Sequence, residues 1–134
     1  MPFEHELRVR YGECDPQNIV FNANYLLYFD VAFTELWRES IGAWSEMTAR
    51  GFDCVVGEAR LTFRAPARFD DVLTLTLTPH RLGRSSITTS IAIARGEELL
   101  VDGELRHVVL STETWTPVEM PDWIRSGLEQ AQRA

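Results

Sequence analysis

Residues 22–38 constrain the fold more than any other stretch, because their apolar side chains recur at the spacing of an α-helix. Positions i, i+3, i+7 and i+10 lie on one helical face. In this stretch those positions hold Leu26, Phe29, Phe33 and Leu36. Much of the remaining circumference is also apolar, through Tyr25, Tyr28, Ala32 and Trp37. A helix that is apolar nearly all round is buried, so the pattern predicts one long central helix enclosed by the rest of the chain.

In the second half of the chain the apolar period changes to two, as it does in half-buried β-strands. The alternation predicts four strands, at residues 55–63, 73–78, 87–93 and 99–110. A first strand is predicted ahead of the helix at residues 3–11, with Tyr11 on its apolar side. A hairpin turn is expected at residues 95–98, and Pro66 indicates an edge or a bulge at residues 65–68. One antiparallel sheet wrapped around a single apolar helix satisfies both periods, so the predicted fold class is α+β.

Two shorter helices are predicted outside this core. The first lies within residues 40–51, where Trp44 and Met47 form a weak apolar face and Gly51 provides the C-terminal cap. The second spans residues 122–132 and is expected to be polar and peripheral.

Length and charge limit the classes of protein that this chain can be. With 134 residues, 45% of them hydrophobic, the chain is expected to form one domain over residues 1–134. Thirteen basic and twenty acidic side chains give a net charge of −7, which argues against a nucleic-acid surface. No long apolar run or signal pattern is present, so we expect no membrane association and a cytoplasmic location. The open edge of the sheet predicts a dimer.

The potential metal ligands of the chain are few and scattered. Cys14 and Cys54 are too few for a disulfide framework or a zinc site, and His5, His80 and His107 lie far apart in sequence. We therefore expect no structural metal and two reduced thiols.

Asp15 stands in a turn just before the long helix. Pro16 disfavours helical backbone at the preceding residue, which keeps the acid outside the helix. The first turn of the helix offers unpaired N–H groups and the positive end of the helix dipole. A carboxylate beside such a backbone pocket can be catalytic, although Asp before Pro also occurs as a plain turn or capping residue. Of its neighbours, Cys14 is expected to be a small buried side chain and Glu13 a solvated one.

The segment GECDPQNIVFNANYLLYFD, residues 12–30, resembles the signature of hotdog-fold acyl-CoA thioesterases of the 4-hydroxybenzoyl-CoA thioesterase type. The segment FDDVLTL, residues 69–75, resembles the start of the third strand in that family. With the strand order, the resemblance covers nearly the whole chain. It implies a hotdog fold and an acyl-CoA thioesterase without metal or cofactor, assembled as a homodimer or as a homotetramer of dimers with active sites at subunit interfaces.

The resemblance also implies roles for particular residues. The catalytic carboxylate falls on Asp15, and the backbone N–H that polarises the thioester carbonyl falls at about Asn22. Asn18 stands where the family usually has Gly; Asn tolerates positive φ best among the other residues, so we expect the turn to survive. On the residues themselves, we expect substrate-binding positions at Val20, Phe21, Tyr25 and Asp30. The turn in which the family carries basic residues that meet the coenzyme phosphates holds Arg81, Arg84 and Ser85 in this chain, with Arg64 and Arg68 as weaker candidates.

Several alternatives stay open on sequence. Asp15 either attacks the carbonyl or activates a water. Asp30 lies in the most apolar part of the helix, so it is either paired with an arginine at a dimer interface or receives a polar group at the far end of the acyl chain. A non-catalytic acyl-thioester binding module on the same fold is the main alternative function. Hotdog dehydratases fit less well, because their usual catalytic histidine has no evident place near Asp15.

Overall fold

The structure is a computed structural model and describes residues 2–133. Within that range the chain forms five β-strands and three α-helices. In order they are β1 (Phe3–Arg8), α1 (Asn24–Ser40), α2 (Trp44–Ala49), β2 (Phe52–Phe63), β3 (Val72–Leu82), β4 (Ser86–Arg95), β5 (Glu98–Ser111) and α3 (Asp122–Arg133). A short 3-10 turn at Tyr11–Glu13 connects β1 to the segment that leads into α1.

The five strands form one antiparallel sheet in the order β1-β3-β4-β5-β2. Two hairpins join β3, β4 and β5, and Gly96 has the positive φ of 60° that the second hairpin requires. The chain crosses the sheet between β1 and β2, which places these two strands at opposite edges. This sheet with one long helix on its face is the hotdog arrangement, as predicted.

Helix α1 packs one side against the sheet and leaves the other side open. Phe29, Ala32, Phe33 and Trp37 are at most 1% exposed. By contrast, the outer side of the helix carries three apolar residues that are 42–49% exposed, Leu26, Leu27 and Val31. The prediction that the helix is buried all round is therefore wrong for a single chain, since one sheet can cover only one side of a helix.

Three local predictions differ from the structure. Strand β1 ends at Arg8, and Tyr11 is 80% exposed in the turn beyond it. The bulge lies within β2 between Val56 and Glu58, whereas residues 65–68 form a connection after that strand. Helix α3 is not peripheral: Ile124 and Leu128 are fully buried, so its pattern is amphipathic rather than simply polar.

Candidate active site

A tight turn holds Asp15 at the entrance to α1. The Asp15 N–H donates to the Ile19 carbonyl over 2.9 Å, and the Asn18 N–H donates to the Asp15 carbonyl over 2.9 Å. Asn18 has φ of 64°, so the turn does survive without glycine, as predicted. A bridge between Cys14 and Val20 closes the base of the turn. The acid is thereby fixed by backbone hydrogen bonds on both sides.

The two carboxylate oxygens of Asp15 have different surroundings. Oδ1 accepts the Gln17 N–H over 2.8 Å, which is the bond of an Asx-turn. No donor among residues 2–133 is bonded to Oδ2. The side chain is half-buried. One oxygen therefore holds the turn while the other is free for chemistry.

Asp15 borders a cavity of about 410 Å³ at the mouth of α1. Val20, Asn22 and Tyr25 border the same cavity, so the structure brings four of the expected site residues together. Its remaining walls come from Gln17, Ile19 and the stretch Phe63, Arg64, Ala65 and Pro66. That stretch is fixed by Ala67, whose N–H donates to the Tyr25 hydroxyl over 3.2 Å and whose carbonyl accepts the Val20 N–H over 2.9 Å.

The Asn22 N–H lies in the turn that enters α1 rather than within the helix, which begins at Asn24. Of the neighbouring N–H groups, that of Phe21 donates to the Glu13 carbonyl, that of Asn24 to the Phe21 carbonyl and that of Tyr25 to the Asn22 carbonyl, whereas that of Ala23 has no acceptor among residues 2–133. Within the described part of the chain, the Asn22 N–H has no acceptor. It is an unpaired donor beside the positive end of a seventeen-residue helix, which favours a developing negative charge.

Glu13 ties the acid-bearing turn to α1, which the sequence did not indicate. Its side chain is 11% exposed. Oε1 accepts from the Tyr28 hydroxyl over 2.8 Å, and Oε2 accepts from Arg10 Nε over 2.8 Å. The Glu13 carbonyl accepts from Asn24 Nδ2 over 2.8 Å and from the Phe21 N–H over 3.0 Å. The prediction that Glu13 is solvated is wrong, because the buried phenol of Tyr28 needs a partner.

These contacts also shift the acidity of both side chains. Burial acts to raise the pKa of Glu13, but the hydrogen bonds from Arg10 and Tyr28 outweigh it and lower that pKa. Burial, reinforced by the bond to Glu13, raises the pKa of Tyr28. Glu13 is thus a charged acceptor and Tyr28 a neutral donor near neutral pH. A tyrosine on the buried face of a helix, fifteen residues after an acid, is the signal that could have suggested the pair.

Two expected substrate-binding residues lie away from this cavity. The Phe21 side chain is 48% exposed, and its contribution here is the backbone bond to Glu13. Asp30 is exposed on the open side of α1, where it borders two other cavities between α1 and β2.

The expected coenzyme-binding residues lie at the opposite end of the sheet from Asp15. The acid-bearing turn is tied to the start of β3, because the Val9 N–H donates to the Asp71 carbonyl over 2.9 Å. Arg81, Arg84 and Ser85 lie at the other end of β3, whose eleven residues span about 35 Å. Within one chain, the hairpin and Asp15 therefore do not meet. Arg64 borders the Asp15 cavity and pairs with Asp102 over 3.0 Å.

Within residues 2–133, no three His, Cys, Asp or Glu side chains lie close enough together to hold a metal ion. In the same range, every helix is too short or too polar to cross a membrane.

Comparison with known proteins identifies relatives of similar length. The model of the thioesterase superfamily matches residues 17–101. The acyl-CoA thioester hydrolase YbgC of Escherichia coli is 26% identical over 129 residues, covering 96% of each chain. A 1,4-dihydroxy-2-naphthoyl-CoA hydrolase of Synechococcus is 28% identical over 134 residues, covering 91% of this chain and 85% of the relative. A crystal structure of an Aquifex aeolicus protein has a TM-score of 0.90 at 27% identity, covering 95% and 99% of the two chains.

Fold, cavity and relatives define the class of protein as a hotdog-fold thioester hydrolase, as the sequence predicted. The family model covers more than half of the chain. The chain belongs to the thioesterase superfamily.

Proposed function

We propose that this protein hydrolyses acyl-CoA thioesters to a free acid and coenzyme A. The observation that carries the proposal is the pairing of a half-buried carboxylate with a free oxygen and an unpaired N–H on the wall of one cavity. The names of two relatives, an acyl-CoA thioester hydrolase and a 1,4-dihydroxy-2-naphthoyl-CoA hydrolase, support a coenzyme A thioester as substrate and allow small or medium acyl and aroyl groups.

In the proposed reaction the thioester carbonyl accepts a hydrogen bond from the Asn22 N–H. Asp15 uses its free oxygen either to attack the carbonyl carbon or to take a proton from an attacking water. On the direct route a C–O bond joins the acyl group to Asp15 as a mixed anhydride, the C–S bond breaks, and the thiolate of coenzyme A leaves and takes a proton from solvent; a water then hydrolyses the anhydride to the free acid and the Asp15 carboxylate. On the water route the new C–O bond is to the water oxygen, the C–S bond breaks, and the proton that Asp15 takes from the water passes to the leaving thiolate. The unpaired N–H and the helix dipole stabilise the oxyanion; one such donor is typically worth about a hundred- to a thousandfold in rate.

The protein is proposed to act as a homodimer or a homotetramer of dimers. Strand β2 ends the sheet with a free edge, and Leu26, Leu27 and Val31 on α1 form an exposed apolar surface beside it. A second copy that pairs along β2 would bury both features. Substrate binding by Val20, Phe21, Tyr25 and Asp30 would then use walls from two subunits.

Arg81, Arg84 and Ser85 are proposed to meet the coenzyme phosphates bound to a neighbouring subunit. Their distance along β3 from their own Asp15 supports this arrangement over one within a single chain. Arg84 is exposed on the hairpin, and guanidinium groups suit phosphate geometry. Arg64, which borders the Asp15 cavity, and Arg68, exposed next to the cavity wall, are the same-chain candidates for this contact.

A non-catalytic acyl-thioester binding module is the second candidate. The observation in its favour is that Asp15 already has a structural function through the bond between Oδ1 and the Gln17 N–H.

Release of free thiol from a panel of acyl-CoA thioesters, detected with a thiol reagent, separates the two candidates. Turnover of at least one thioester supports the hydrolase. Tight binding of a thioester without turnover of any would favour the binding module. The proposed cytoplasmic location is independent of this test.

A further inference from the structure

Among the polar residues that border the Asp15 cavity, Tyr25 is the most deeply buried, at 3% exposed. Its ring packs against the rings of Tyr28 and Phe63, whose centroids lie 6.0 and 5.5 Å away. Its hydroxyl accepts the Ala67 N–H over 3.2 Å. Two aromatic contacts and one backbone hydrogen bond therefore fix the position of the phenol at the cavity wall.

The hydroxyl hydrogen of Tyr25 has no acceptor among residues 2–133. A phenol can both accept and donate a hydrogen bond, and within that range only the accepting capacity is used. The hydroxyls of buried tyrosines usually donate to a partner. Tyr25 thus retains a hydrogen-bond donor that a molecule bound in the cavity can use.

The tilt of helical side chains places the Tyr25 phenol over the turn that contains Asn22. Tyr25 lies in the first turn of α1, and its N–H donates to the Asn22 carbonyl over 3.3 Å. Side chains on a helix lean towards its N-terminus and cover the preceding turn. Ala67, which holds the phenol, also accepts the Val20 N–H over 2.9 Å. The free O–H of Tyr25 and the unpaired N–H of Asn22 therefore lie at the same end of the cavity.

The surroundings of Tyr25 keep its phenol neutral. Burial raises the pKa of Tyr25, and Cys14 and Asp15 raise it further, whereas the Ala67 N–H and Arg95 act in the opposite direction. The phenol consequently donates a hydrogen bond at neutral pH without giving up its proton. Of the two acceptors in a thioester, the sulfur is weak and the carbonyl oxygen is strong, and the oxygen becomes stronger as it gains negative charge.

Other polar groups near this end of the cavity are less suited to the same function. The side chains of Gln17 and Asn22 are exposed, so water competes for their amides. The Arg64 guanidinium is paired with Asp102 over 3.0 Å. The Ala23 N–H lacks an acceptor among residues 2–133, but Ala23 does not border the cavity.

We propose that the Tyr25 hydroxyl is a second hydrogen-bond donor to the thioester oxygen and forms the oxyanion site together with the Asn22 N–H. This inference rests on the proposed thioesterase function. Tyr25 transfers no proton: its O–H···O bond strengthens while the carbonyl oxygen gains negative charge and weakens when the C–S bond breaks and the carbonyl re-forms. A donor that is fixed before the reaction stabilises the transition state more than the bound substrate.

Tyr25→Phe keeps the ring and removes the hydroxyl. We expect kcat to fall about a hundredfold with little change in KM, because the lost bond is strongest in the transition state. Thr89→Val is the matched control, since it removes a buried hydroxyl from a residue that does not border the cavity, and it should leave kcat unchanged.

Infrared spectra of a bound thioester separate donation to the substrate from the bond to Ala67. The probes are benzoyl-CoA and hexanoyl-CoA, each isotopically labelled at the carbonyl carbon and bound to Asp15→Asn, which should not turn them over. Adding Tyr25→Phe should raise the carbonyl stretching frequency. Fluorotyrosine at position 25 should lower it, because fluorine makes the phenol a stronger donor and a weaker acceptor. A phenol that acted only as the acceptor of the Ala67 N–H would shift the frequency in the same direction in both cases.

Opposite shifts in the two variants support the second donor even in the absence of turnover by the wild type. Turnover or binding with no shift in either variant, or with shifts of the same sign, would overturn the inference and leave the proposed function intact. Failure of the wild type to bind or hydrolyse any thioester would overturn the proposed function and this inference with it.

Discussion

The Tyr28 hydroxyl donates to Glu13 Oε1 over 2.8 Å and thereby joins the buried face of α1 to the turn that carries Asp15. The same glutamate contacts Asn24 through its backbone carbonyl. The Asp15 carboxylate belongs to the turn, and the Asn22 N–H lies at the entrance to α1, so Glu13 joins the segments that carry the two groups. The relative position of the two groups proposed to act on the thioester therefore depends on Glu13.

Tyr28→Phe should lower the free energy of unfolding by about 1–2 kcal/mol, because it removes a hydrogen bond to a charged acceptor. It should also lower kcat more than it raises KM, because the loss affects the alignment of Asp15 with the oxyanion donor. Denaturant unfolding and steady-state kinetics measure the two effects. A stability loss with unchanged kcat would limit the pair to a structural role.

Asp15→Asn should abolish turnover and leave the unfolding midpoint nearly unchanged. The Asn side-chain oxygen can still accept the Gln17 N–H, so the turn persists, whereas the amide can neither attack a thioester nor take a proton. Thiol release and thermal unfolding measure the two properties. Near-normal turnover in this variant would remove Asp15 from the mechanism.

Arg84→Glu should raise the KM for coenzyme A thioesters several-fold, and that for short thioesters lacking the nucleotide much less. If Arg84 acts on a neighbouring subunit, mixed oligomers of Asp15→Asn and Arg84→Glu chains should regain sites with normal KM, since one site type then has both residues intact. Co-expression with two affinity tags yields such oligomers. If the mixed oligomers contain no sites with normal KM, Arg84 either contacts coenzyme A bound to its own chain or does not contact it.

Acid should destabilise the fold through His107. Burial lowers its folded pKa to about 4, below the ordinary value of about 6.5, so between these pH values the unfolded chain binds a proton that the folded chain does not. The contribution of neutral His107 to the free energy of unfolding is fully present above pH ~6.5. It falls by up to about 3 kcal/mol as the pH approaches 4. The free energy of unfolding should therefore rise with pH more steeply in the wild type than in His107→Gln over this range. Parallel curves for the two proteins would contradict the lowered pKa of His107.

Gly127→Ala should destabilise the protein although alanine favours helix by about 1 kcal/mol. An added Cβ would lie 2.5 Å from the Ser40 carbonyl oxygen and 2.6 Å from Ile41 Cγ1, where α3 crosses the end of α1. Overpacking of this kind costs about 1–3 kcal/mol, which exceeds the gain. Ser126→Ala, an exposed position in the same helix, is the matched control and should be neutral or slightly stabilising. Thermal unfolding of the two variants shows whether Gly127→Ala lowers or raises the stability of the fold.

The spacing of apolar residues and the positions of turn-forming residues were enough to predict most of the fold. The alternation of Leu73, Leu75 and Leu77 identified β3, and the spacing of Phe29 and Phe33 identified α1, because each pattern has its own periodicity. The open side of α1 could not be predicted in this way. A pattern shows that a residue is apolar, but it does not show whether its own chain or a second one covers it.

The candidate site was only partly predictable for a related reason. Asp15 and Asn18 have local turn signals, so sequence neighbours were sufficient to interpret them. Glu13 and His107 depend on partners fifteen or more residues away, and their environment follows from the packing of α1 on the sheet. The position of Arg84 relative to Asp15 depends on the direction and length of β3, which no local motif encodes.

The Asx-turn at Asp15 has a consequence for how such proteins diverge. The bond that shapes the turn needs only one side-chain oxygen, which asparagine supplies as well as aspartate does. On the mechanism proposed for Asp15, a single nucleotide change that converts the acid to its amide would therefore leave a thioester-binding protein with the same loop and core. Relatives with and without catalysis would then share this fold and differ by one side-chain atom at position 15.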